Sequence, residues 1–304
     1  MRSVISAMQL ETQRKYMEST RQLNDRADRP PLALVDTYGC QQNEADSERL
    51  RGMLAEMGYG FTADEYRADV IVLNTCAVRE HAETRVFGNV GALTHTKKQN
   101  PEQIIVVCGC MAQQEAVAEK LKVSYRHVDL VFGPQTLWRF PELLYKVKTG
   151  HRRIFFQDDS EGAIAEGLPV SRDKSVKAWL SIMYGCNNFC SYCIVPYVRG
   201  RERSRTPEDV LDEARRLAAA GCRDITLLGQ NVNSYGRDLD GDVDFSELLR
   251  RVNGVDGDFI IRFMTSHPKD AGERLFRTMA ECEKVERHIH LPFQAGNDRV
   301  LQAM

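Results

Sequence analysis

Hydrophobic residues in the first half of the chain alternate between short continuous runs and helical spacing. Leu50, Met53, Leu54 and Met57 recur at helical intervals and are followed by Gly58, which predicts an amphipathic helix with a glycine stop. Further helices are expected around residues 86–93, 112–121 and 137–147. Apolar, β-branched runs predict strands at residues 32–35, 70–73, 104–107 and 128–132. Strands that alternate with helices predict a mostly parallel sheet covered by helices, an α/β domain of Rossmann or flavodoxin type.

The pattern breaks down between residues 148 and 176 and then resumes. Four further strands are predicted at residues 179–183, 225–228, 259–263 and 288–291. Thr206 followed by Pro207 predicts the start of a helix, with threonine as the N-cap. A last helix is expected to begin near Asn297, and Met304 arrives before a barrel could close. The second half therefore predicts an incomplete (β/α) barrel, and we expect the chain to be a C-terminally truncated form.

These patterns divide the chain into four segments. Residues 1–30 lack clear periodicity and are expected to form a flexible or loosely helical extension without chemistry. An α/β domain at 31–149 and a partial barrel at 178–304 are joined by a linker at 150–177. Within that linker, Asp158, Asp159 and Glu161 are interpreted as hydrated surface residues. A length of 304 residues also favours two separate cores.

Composition narrows the function classes. The 41 Lys and Arg nearly balance 43 Asp and Glu, giving a net charge of −2, so any nucleic-acid contact must come from a local basic patch. No apolar run approaches the roughly 18 residues of a membrane-spanning helix. The polar start of the chain predicts a cytoplasmic protein. Nine cysteines in a reducing compartment indicate metal or redox chemistry rather than disulfides.

Three of these cysteines lie together in the loop after a predicted strand. Cys186, Cys190 and Cys193 have C-x3-C-x2-C spacing. Three thiolates this close can hold three irons of a cubane and leave the fourth iron without a protein ligand. A structural zinc site needs four ligands, and no fourth Cys or His lies in this loop. Zinc binding and fortuitous cysteines remain the alternatives.

Another three cysteines follow the first three predicted strands, one after each strand. Cys40, Cys76 and Cys110 are separated by 36 and 34 residues. Because the carboxyl ends of parallel strands share one edge of a sheet, these cysteines are expected to converge there. The alternative is that each is a small buried hydrophobic residue, the usual state of a free cysteine. That structural interpretation is favoured for the other three cysteines, Cys108, Cys222 and Cys282.

The local motifs resemble those of the radical S-adenosylmethionine (SAM) methylthiotransferases. The likeness extends over nearly the whole chain from about residue 32 and rests on the segments around each cysteine trio. These segments are Thr37-Tyr38-Gly39-Cys40 with residues 43–48, Asn74-Thr75-Cys76-Ala77-Val78-Arg79, residues 185–205, residues 228–235 and Thr265-Ser266-His267-Pro268. Together they are similar to the MiaB branch, which adds a methylthio group to carbon 2 of N6-isopentenyladenosine beside the tRNA anticodon. Branches that act on threonylcarbamoyl-adenosine in tRNA or on a ribosomal protein are the alternatives within the family.

The resemblance implies a set of cofactors and ligands. Two [4Fe-4S] clusters are implied, one on Cys186, Cys190 and Cys193 that binds SAM, and an auxiliary one on Cys40, Cys76 and Cys110. In this family one SAM methylates a sulfur on the auxiliary cluster, and a second yields the radical that removes the ring hydrogen. Gly229, Gln230 and Gln294 are expected to meet SAM. For Gly229 and Gln230 an ordinary strand-to-loop turn is the alternative, and Ala295 stands where the family suggests a serine.

The family also implies partners. These are a tRNA substrate and a reductant such as flavodoxin, and we expect a monomer without membrane contact. Family members continue into the rest of the barrel and a TRAM-type RNA-binding domain, which this chain lacks. A non-catalytic iron–sulfur or zinc protein is the alternative of another class.

Four arginines alternate after the cysteine loop. Arg199, Arg201, Arg203 and Arg205 would share one side of an extended segment, which predicts phosphate contacts to RNA. A solvated charged loop is the alternative.

Overall fold

The computed structural model describes residues 4–77, 80–157, 162–172 and 176–304. The chain forms two compact units, one of residues 3–171 and the other comprising residues 172–304. The division falls inside the segment predicted to be a linker. Three of the sequence predictions fall at least partly outside the described residues: the Val78-Arg79 end of one motif, Asp158 with Asp159, and Glu161.

The first unit is built on a six-stranded sheet in which every pair of neighbours is parallel, in the order β2-β1-β3-β4-β5-β6. Its strands are β1 (Leu32–Thr37), β2 (Gly60–Phe61), β3 (Val70–Thr75), β4 (Ile104–Gly109), β5 (Leu130–Phe132) and β6 (Ile154–Phe156). The four predicted strands are confirmed. The pattern missed β2, which has only two residues, and β6, which begins inside the predicted linker.

Helices cover both faces of this sheet. They are α1 (Ala7–Asn24), α2 (Gln41–Glu56), α3 (Glu80–Ala92), α4 (Thr94–Gln99), α5 (Glu115–Ser124) and α6 (Phe140–Gly150). Val72 and Val106 pack in one core cluster with residues of α2 and α6. Ile71 and Ile105 pack in another with residues of α3 and α5. Because alternate strand residues enter two cores, the strands are apolar throughout, as in a parallel sheet buried on both sides.

The N-terminal segment differs from the flexible extension expected for it. Residues 7–24 form a helix that begins with a capping box between Ser6 and Gln9 and packs on α6. Its buried side chains are Gln13, Met17, Thr20 and Asn24, of which only the methionine is apolar. Since the buried face is mostly polar, the hydrophobic periodicity that signals a helix is weak here.

The second unit has a three-stranded parallel sheet in the order β11-β10-β7, and a short antiparallel pair β8-β9. Its strands are β7 (Lys177–Ser181), β8 (Met183–Tyr184), β9 (Arg203–Ser204), β10 (Asp224–Leu228) and β11 (Ile260–Phe263). Its helices are α7 (Val195–Arg199), α8 (Pro207–Ala219), α9 (Phe245–Asn253), α10 (Glu273–Glu281) and α11 (Asp298–Ala303). The predicted N-cap is confirmed, because the Thr206 side chain accepts a hydrogen bond from Asp209 N at 3.1 Å.

The strand predicted at residues 288–291 is wrong. This segment has no regular structure, and His288 and His290 are exposed. Val285 instead forms an isolated parallel bridge with Ile261 on β11. Ile289 still packs against the core of this unit, so the segment keeps an apolar contact there without pairing as a strand. The predicted last helix is confirmed, with Asn297 as its N-cap.

In the part of the chain that the structure describes, no helix combines the length and the apolar character needed to cross a membrane.

Two candidate cysteine sites

The first candidate site lies at the carboxyl edge of the six-stranded sheet. Cys76 directly follows β3 and Cys110 directly follows β4, while Cys40 comes after β1 and caps the start of α2. Strands β1, β3 and β4 are consecutive neighbours in the sheet. The prediction that these three cysteines follow adjacent parallel strands at one edge is therefore confirmed, and their role as cluster ligands stays a prediction.

Two glycines bring these strand ends into close contact. Gly39 has a φ of +115°, and a Cβ there would lie 2.7 Å from Cys76 Sγ. Gly109 has a φ of +91°, and a Cβ there would lie 2.5 Å from Asn74 Oδ1 and 2.7 Å from Thr75 N. Only glycine tolerates both the positive φ and the lack of space. The residues that precede Cys40 and Cys110 thus both press on the end of β3.

A buried asparagine connects the three strand ends. Asn43 is fully buried in the first turn of α2. Its Nδ2 donates to Tyr38 O at 2.8 Å and to Thr75 O at 2.9 Å. Its Oδ1 accepts from the thiols of Cys40 and Cys110 at 3.9 and 4.0 Å. Sequence reasoning included Asn43 in a motif without giving it a function; its position three residues after Cys40, on the first helical turn, was the available signal.

The geometry of this edge differs from that of a mononuclear metal site. Among the described residues, no three His, Cys, Asp or Glu side chains form a group that could hold a metal ion. A single zinc ion draws its ligand atoms to about 2.0–2.3 Å from one point. In a cubane each thiolate binds a different iron, so the sulfurs lie farther apart. The sulfurs of Cys40 and Cys110 share one neighbour, Asn43 Oδ1, at 3.9 and 4.0 Å.

Cys108 behaves as a structural residue, as predicted. It is 1% exposed within β4, and burial raises the pKa of its thiol well above the ordinary value, with smaller contributions from Asp46 and Cys110.

The second candidate site is the loop between β8 and β9, which carries Cys186, Cys190 and Cys193. Gly185, with a φ of +75°, has Arg201 C and Gly200 O each within 2.5 Å of where a Cβ would lie. Cys186 N donates to Gly200 O at 3.1 Å, and Cys193 N donates to Cys190 O at 2.8 Å. The antiparallel pair and this glycine contact therefore close the loop at its base.

The sulfurs of this loop share one electrostatic environment. Burial raises the pKa of the Cys186 thiol to about 11, and the nearby Glu202, Cys193 and Cys190 add to the rise. Cys186 is buried, whereas Cys190 and Cys193 are only partly covered. The arrangement keeps one sulfur deep at the base of the loop and two nearer to solvent.

The three residues predicted to meet SAM lie against this loop. A Cβ on Gly229, at the end of β10, would lie 2.5 Å from Met183 Cγ. Gln230 Oε1 accepts a hydrogen bond from Gly185 N, next to Cys186. Gln294, with a φ of +68°, accepts from Tyr192 OH at 2.8 Å. Their contact with SAM stays a prediction.

Unsatisfied polar atoms lie just past the ends of β10 and β11. Asn231 Oδ1 and Ser266 Oγ are buried and have no hydrogen-bond partner among the described residues. Asn231 Nδ2 donates to the carboxylate of Asp270 at 2.7 Å, and Arg237 and Lys269 donate to the same carboxylate. Buried polar groups are nearly always paired, so these atoms suit a polar ligand at the carboxyl edge of the sheet. Sequence reasoning quoted both residues in motifs but gave them no function.

Comparison with known proteins matches one domain family within each of the two units. Residues 33–133 match a family described as "Uncharacterized protein family UPF0004", and residues 180–304 match the radical SAM superfamily. A protein of Acetivibrio thermocellus named tRNA-2-methylthio-N(6)-dimethylallyladenosine synthase is 49% identical over 304 residues, covering 99% of this chain. A protein of the same name from Alkaliphilus oremlandii is 55% identical over 271 residues, covering 89% of this chain. The chain is therefore similar to the radical SAM methylthiotransferases over nearly its whole length.

This chain spans 63% and 58% of the lengths of those two relatives. Among solved structures, the radical SAM methyltransferase TsrM from Kitasatospora setae, with cobalamin and a [4Fe-4S] cluster bound, covers 90% of the chain. The two share 16% identity and a TM-score of 0.59 over 62% of the TsrM chain, a likeness of fold.

The four arginines after the cysteine loop do not form the predicted row. Arg199, Arg203 and Arg205 are 5%, 6% and 2% exposed. Arg203 donates to Arg201 O at 2.8 Å, and Arg205 forms an ion pair with Glu213 at 2.7 Å. Alternation along an extended segment does not apply, because Arg199 ends a helix and Arg203 lies in a strand.

Arg201 is the exposed member of the four. Its guanidinium carbon lies 4.3 Å from the centre of the Phe189 ring. A phosphate contact stays a prediction for this exposed side chain. The buried Arg203 and Arg205 make internal hydrogen bonds instead.

Proposed function

We propose that this chain transfers a methylthio group to carbon 2 of N6-isopentenyladenosine at position 37 of tRNA, by radical SAM chemistry. The observation that carries the proposal is the pairing of two cysteine trios with about 50% identity to relatives named for this reaction. Because the chain spans less than two thirds of those relatives, the activity of the whole protein is part of the proposal.

The proposal gives each trio one cluster. Cys186, Cys190 and Cys193 hold the [4Fe-4S] cluster whose free iron binds SAM, since the loop offers three thiolates and no more. Cys40, Cys76 and Cys110 hold an auxiliary [4Fe-4S] cluster at the sheet edge. When bound, these groups supply reductive cleavage of SAM, hydrogen removal from carbon 2, and a cluster-borne sulfur that a second SAM methylates.

The chain's own residues position these groups. Gln230 accepts from the backbone beside Cys186, so a shift of this side chain moves the base of the cluster loop. Gly229 leaves room for Met183 and Val232 to pack closely beside it. Asn231 and Ser266 offer buried polar atoms to SAM at the same strand ends. Gln294 would contribute from the neighbouring segment, where it holds Tyr192 of the loop.

The partners are proposed on the same basis. A tRNA substrate is supported by the relatives' names, and Arg201 is an exposed cation within the loop between β8 and β9 that could contact a phosphate. A flavodoxin-like reductant, a monomeric state and a cytoplasmic location complete the proposal.

Anaerobic reconstitution of the 304-residue chain tests the two-cluster assignment. We expect about eight irons per chain and SAM-dependent formation of 5′-deoxyadenosine. Replacing Cys186, Cys190 and Cys193 with alanine should remove half of the iron and all SAM cleavage. The matched change at Cys40, Cys76 and Cys110 should remove the other half. Cys222→Ala, at a buried cysteine outside both trios, should remove none.

Nucleoside analysis of tRNA tests the substrate. Loss of 2-methylthio-isopentenyladenosine from a deletion strain, and its return on expression of the full-length gene, would support the assignment. Loss of the methylthiolated threonylcarbamoyl-adenosine instead would move the chain to that branch, and unchanged tRNA with an altered ribosomal protein would move it to the third. Zinc binding without iron would overturn the enzyme assignment itself.

A further inference from the structure

The side-chain amide of Asn43 forms hydrogen bonds beside all three strand-end cysteines. One hydrogen of Nδ2 bonds Tyr38 O, on the turn that leads to Cys40. The other bonds Thr75 O, the carbonyl directly before Cys76. The same Thr75 O accepts from the backbone N of Cys110 at 2.9 Å. A single amide thus connects the backbones that carry the three sulfurs.

The orientation of this amide is fixed by its donors. Because both Nδ2 hydrogens are directed at backbone carbonyls, Oδ1 must face the other way, towards the sulfurs of Cys40 and Cys110. The backbone of Asn43 is braced as well, since Asn74 Nδ2 donates to Asn43 O at 2.8 Å and Asn43 N donates to Cys40 O at 2.9 Å. The side chain is 0% exposed, so water does not compete for these bonds.

Among the described residues, the Asn43 amide is one of two hydrogen-bonded links between the Cys40 turn and β3. Cys40 is the exposed member of the trio, and its turn is anchored to β3 through Tyr38 N, which donates to Asn74 O, and through the Asn43 amide. An alanine at position 43 would leave two buried carbonyls without that donor and would free the turn.

We infer that Asn43 is a positioning residue for the auxiliary cluster, tying the turn before Cys40 to the end of β3 beside Cys76 and Cys110. The inference rests on the proposed function only in assigning a cluster to this trio. It adds that the trio is organised before iron arrives, and that the organising group is a side-chain amide donor rather than the sheet alone. A site held in place by packed neighbours binds its metal more tightly than one that must be ordered on binding.

The test uses the full chain with Cys186, Cys190 and Cys193 changed to alanine, so that all bound iron belongs to the strand-end site. Asn43→Ala removes both hydrogen bonds, and Asn43→Asp keeps the shape and the acceptor but loses the donors. Asn24→Ala is the matched control, because Asn24 is likewise buried in the same unit, at 3% exposure, and donates to a backbone carbonyl, Met57 O, at 2.8 Å. The readouts are iron per chain, the EPR spectrum of the reduced cluster, and the urea midpoint of the iron-free protein.

The expected result separates positioning from general stability. Asn24→Ala should lower the urea midpoint and keep about four irons per chain with an unchanged EPR spectrum. Both Asn43 variants should lose at least half of the iron, or retain it with altered EPR g-values. If Asn43→Ala does not fold, Asn43→Asp and Asn43→Ser provide the same comparison.

Two outcomes would overturn the inference for different reasons. A chain with intact Asn43 that binds no iron would remove the auxiliary cluster, and with it both this inference and the proposed function. A chain with intact Asn43 that binds four irons, together with Asn43→Asp indistinguishable from it in iron and spectrum, would overturn the positioning role alone.

Discussion

Gly109→Ala should be among the most disruptive single-methyl additions in the first unit. Gly109 ends β4 directly before Cys110, and its φ of +91° is one that residues with a Cβ rarely adopt. The added carbon would lie 2.7 Å from the backbone N of Thr75 and 2.5 Å from Asn74 Oδ1. Thr75 N belongs to a central strand that cannot move without breaking its pairing to both neighbours. The new methyl therefore cannot be accommodated by a side-chain rotation.

The cost can be worked from two contributions. A left-handed conformation costs an L-residue roughly 1–2 kcal/mol. Overpacking of a buried position costs about 1–3 kcal/mol more. The free energy of unfolding of this unit should therefore fall by about 2–5 kcal/mol, a large part of the roughly 5–15 kcal/mol typical of a folded protein. Because the strain lies beside Cys110, iron bound at the strand-end site should fall as well.

The two tryptophans allow the units to be followed separately. Trp138 lies in the first unit and Trp179 in the second, so a Trp179→Phe background makes fluorescence in urea report on the first unit. Gly88→Ala is the control, because Gly88 is exposed in α3 and a Cβ there meets nothing within 4 Å. Removing an exposed helical glycine should raise the stability by about 0.5–1 kcal/mol. Equal stability of Gly109→Ala and the parent, with full iron content, would refute the close-contact reasoning.

Three further predictions concern the rest of the molecule. Arg205→Ala should lower the stability of the second unit by about 1–3 kcal/mol, since the buried guanidinium loses its bonds to Glu213 and Ser181 O while Arg172 still pairs with Glu213. Arg201→Ala should leave urea unfolding unchanged and weaken tRNA binding in a gel-shift assay. Burial raises the pKa of Asp270, but its three hydrogen-bond donors outweigh this effect and the net pKa is lowered. The ionised carboxylate therefore stabilises the folded unit above the ordinary carboxyl pKa, and this stabilisation is lost as the pH falls through the lowered pKa. The stability difference between the parent and Asp270→Asn should accordingly be full at neutral pH and shrink below about pH 4 in acid titrations followed by circular dichroism. Cys108→Ala should keep the full iron content, whereas Cys110→Ala should not; loss of iron from the first would identify Cys108 as a ligand.

The strand-end site could be predicted from sequence because its information is local. Each cysteine stands within a few residues after an apolar run, and the carboxyl ends of parallel strands share one edge of the sheet. The same reasoning located β1, β3 and β4 and the start of α8 at Thr206. It failed where burial is not apolar, as in α1, whose buried face includes Gln13 and Asn24. Periodicity detects hydrophobic faces and has no signal for a polar one.

The prediction that four arginines form a phosphate-binding row failed for a related reason. Alternation of Arg199 to Arg205 resembles the pattern of an extended, solvent-facing segment, but side-chain direction depends on the backbone, which here changes from helix to turn to strand. Charge alone cannot distinguish a phosphate contact from an internal ion pair, because the pairing partner, Glu213, lies on another element. A buried arginine is identified only once the fold supplies its carboxylate.

Asn43 shows which part of a binding site sequence reasoning reaches last. Ligand residues are recognisable because thiolates have few other uses in a reducing compartment. The residues that hold ligands in place make ordinary hydrogen bonds to backbone carbonyls, and an asparagine three residues after a cysteine is also a normal helix-start residue. Its importance depends on two strand ends, at Tyr38 and Thr75, that meet only after the sheet has formed. If the amide positions the cluster, then the fold places the sulfurs near one another and this single side chain sets their final spacing.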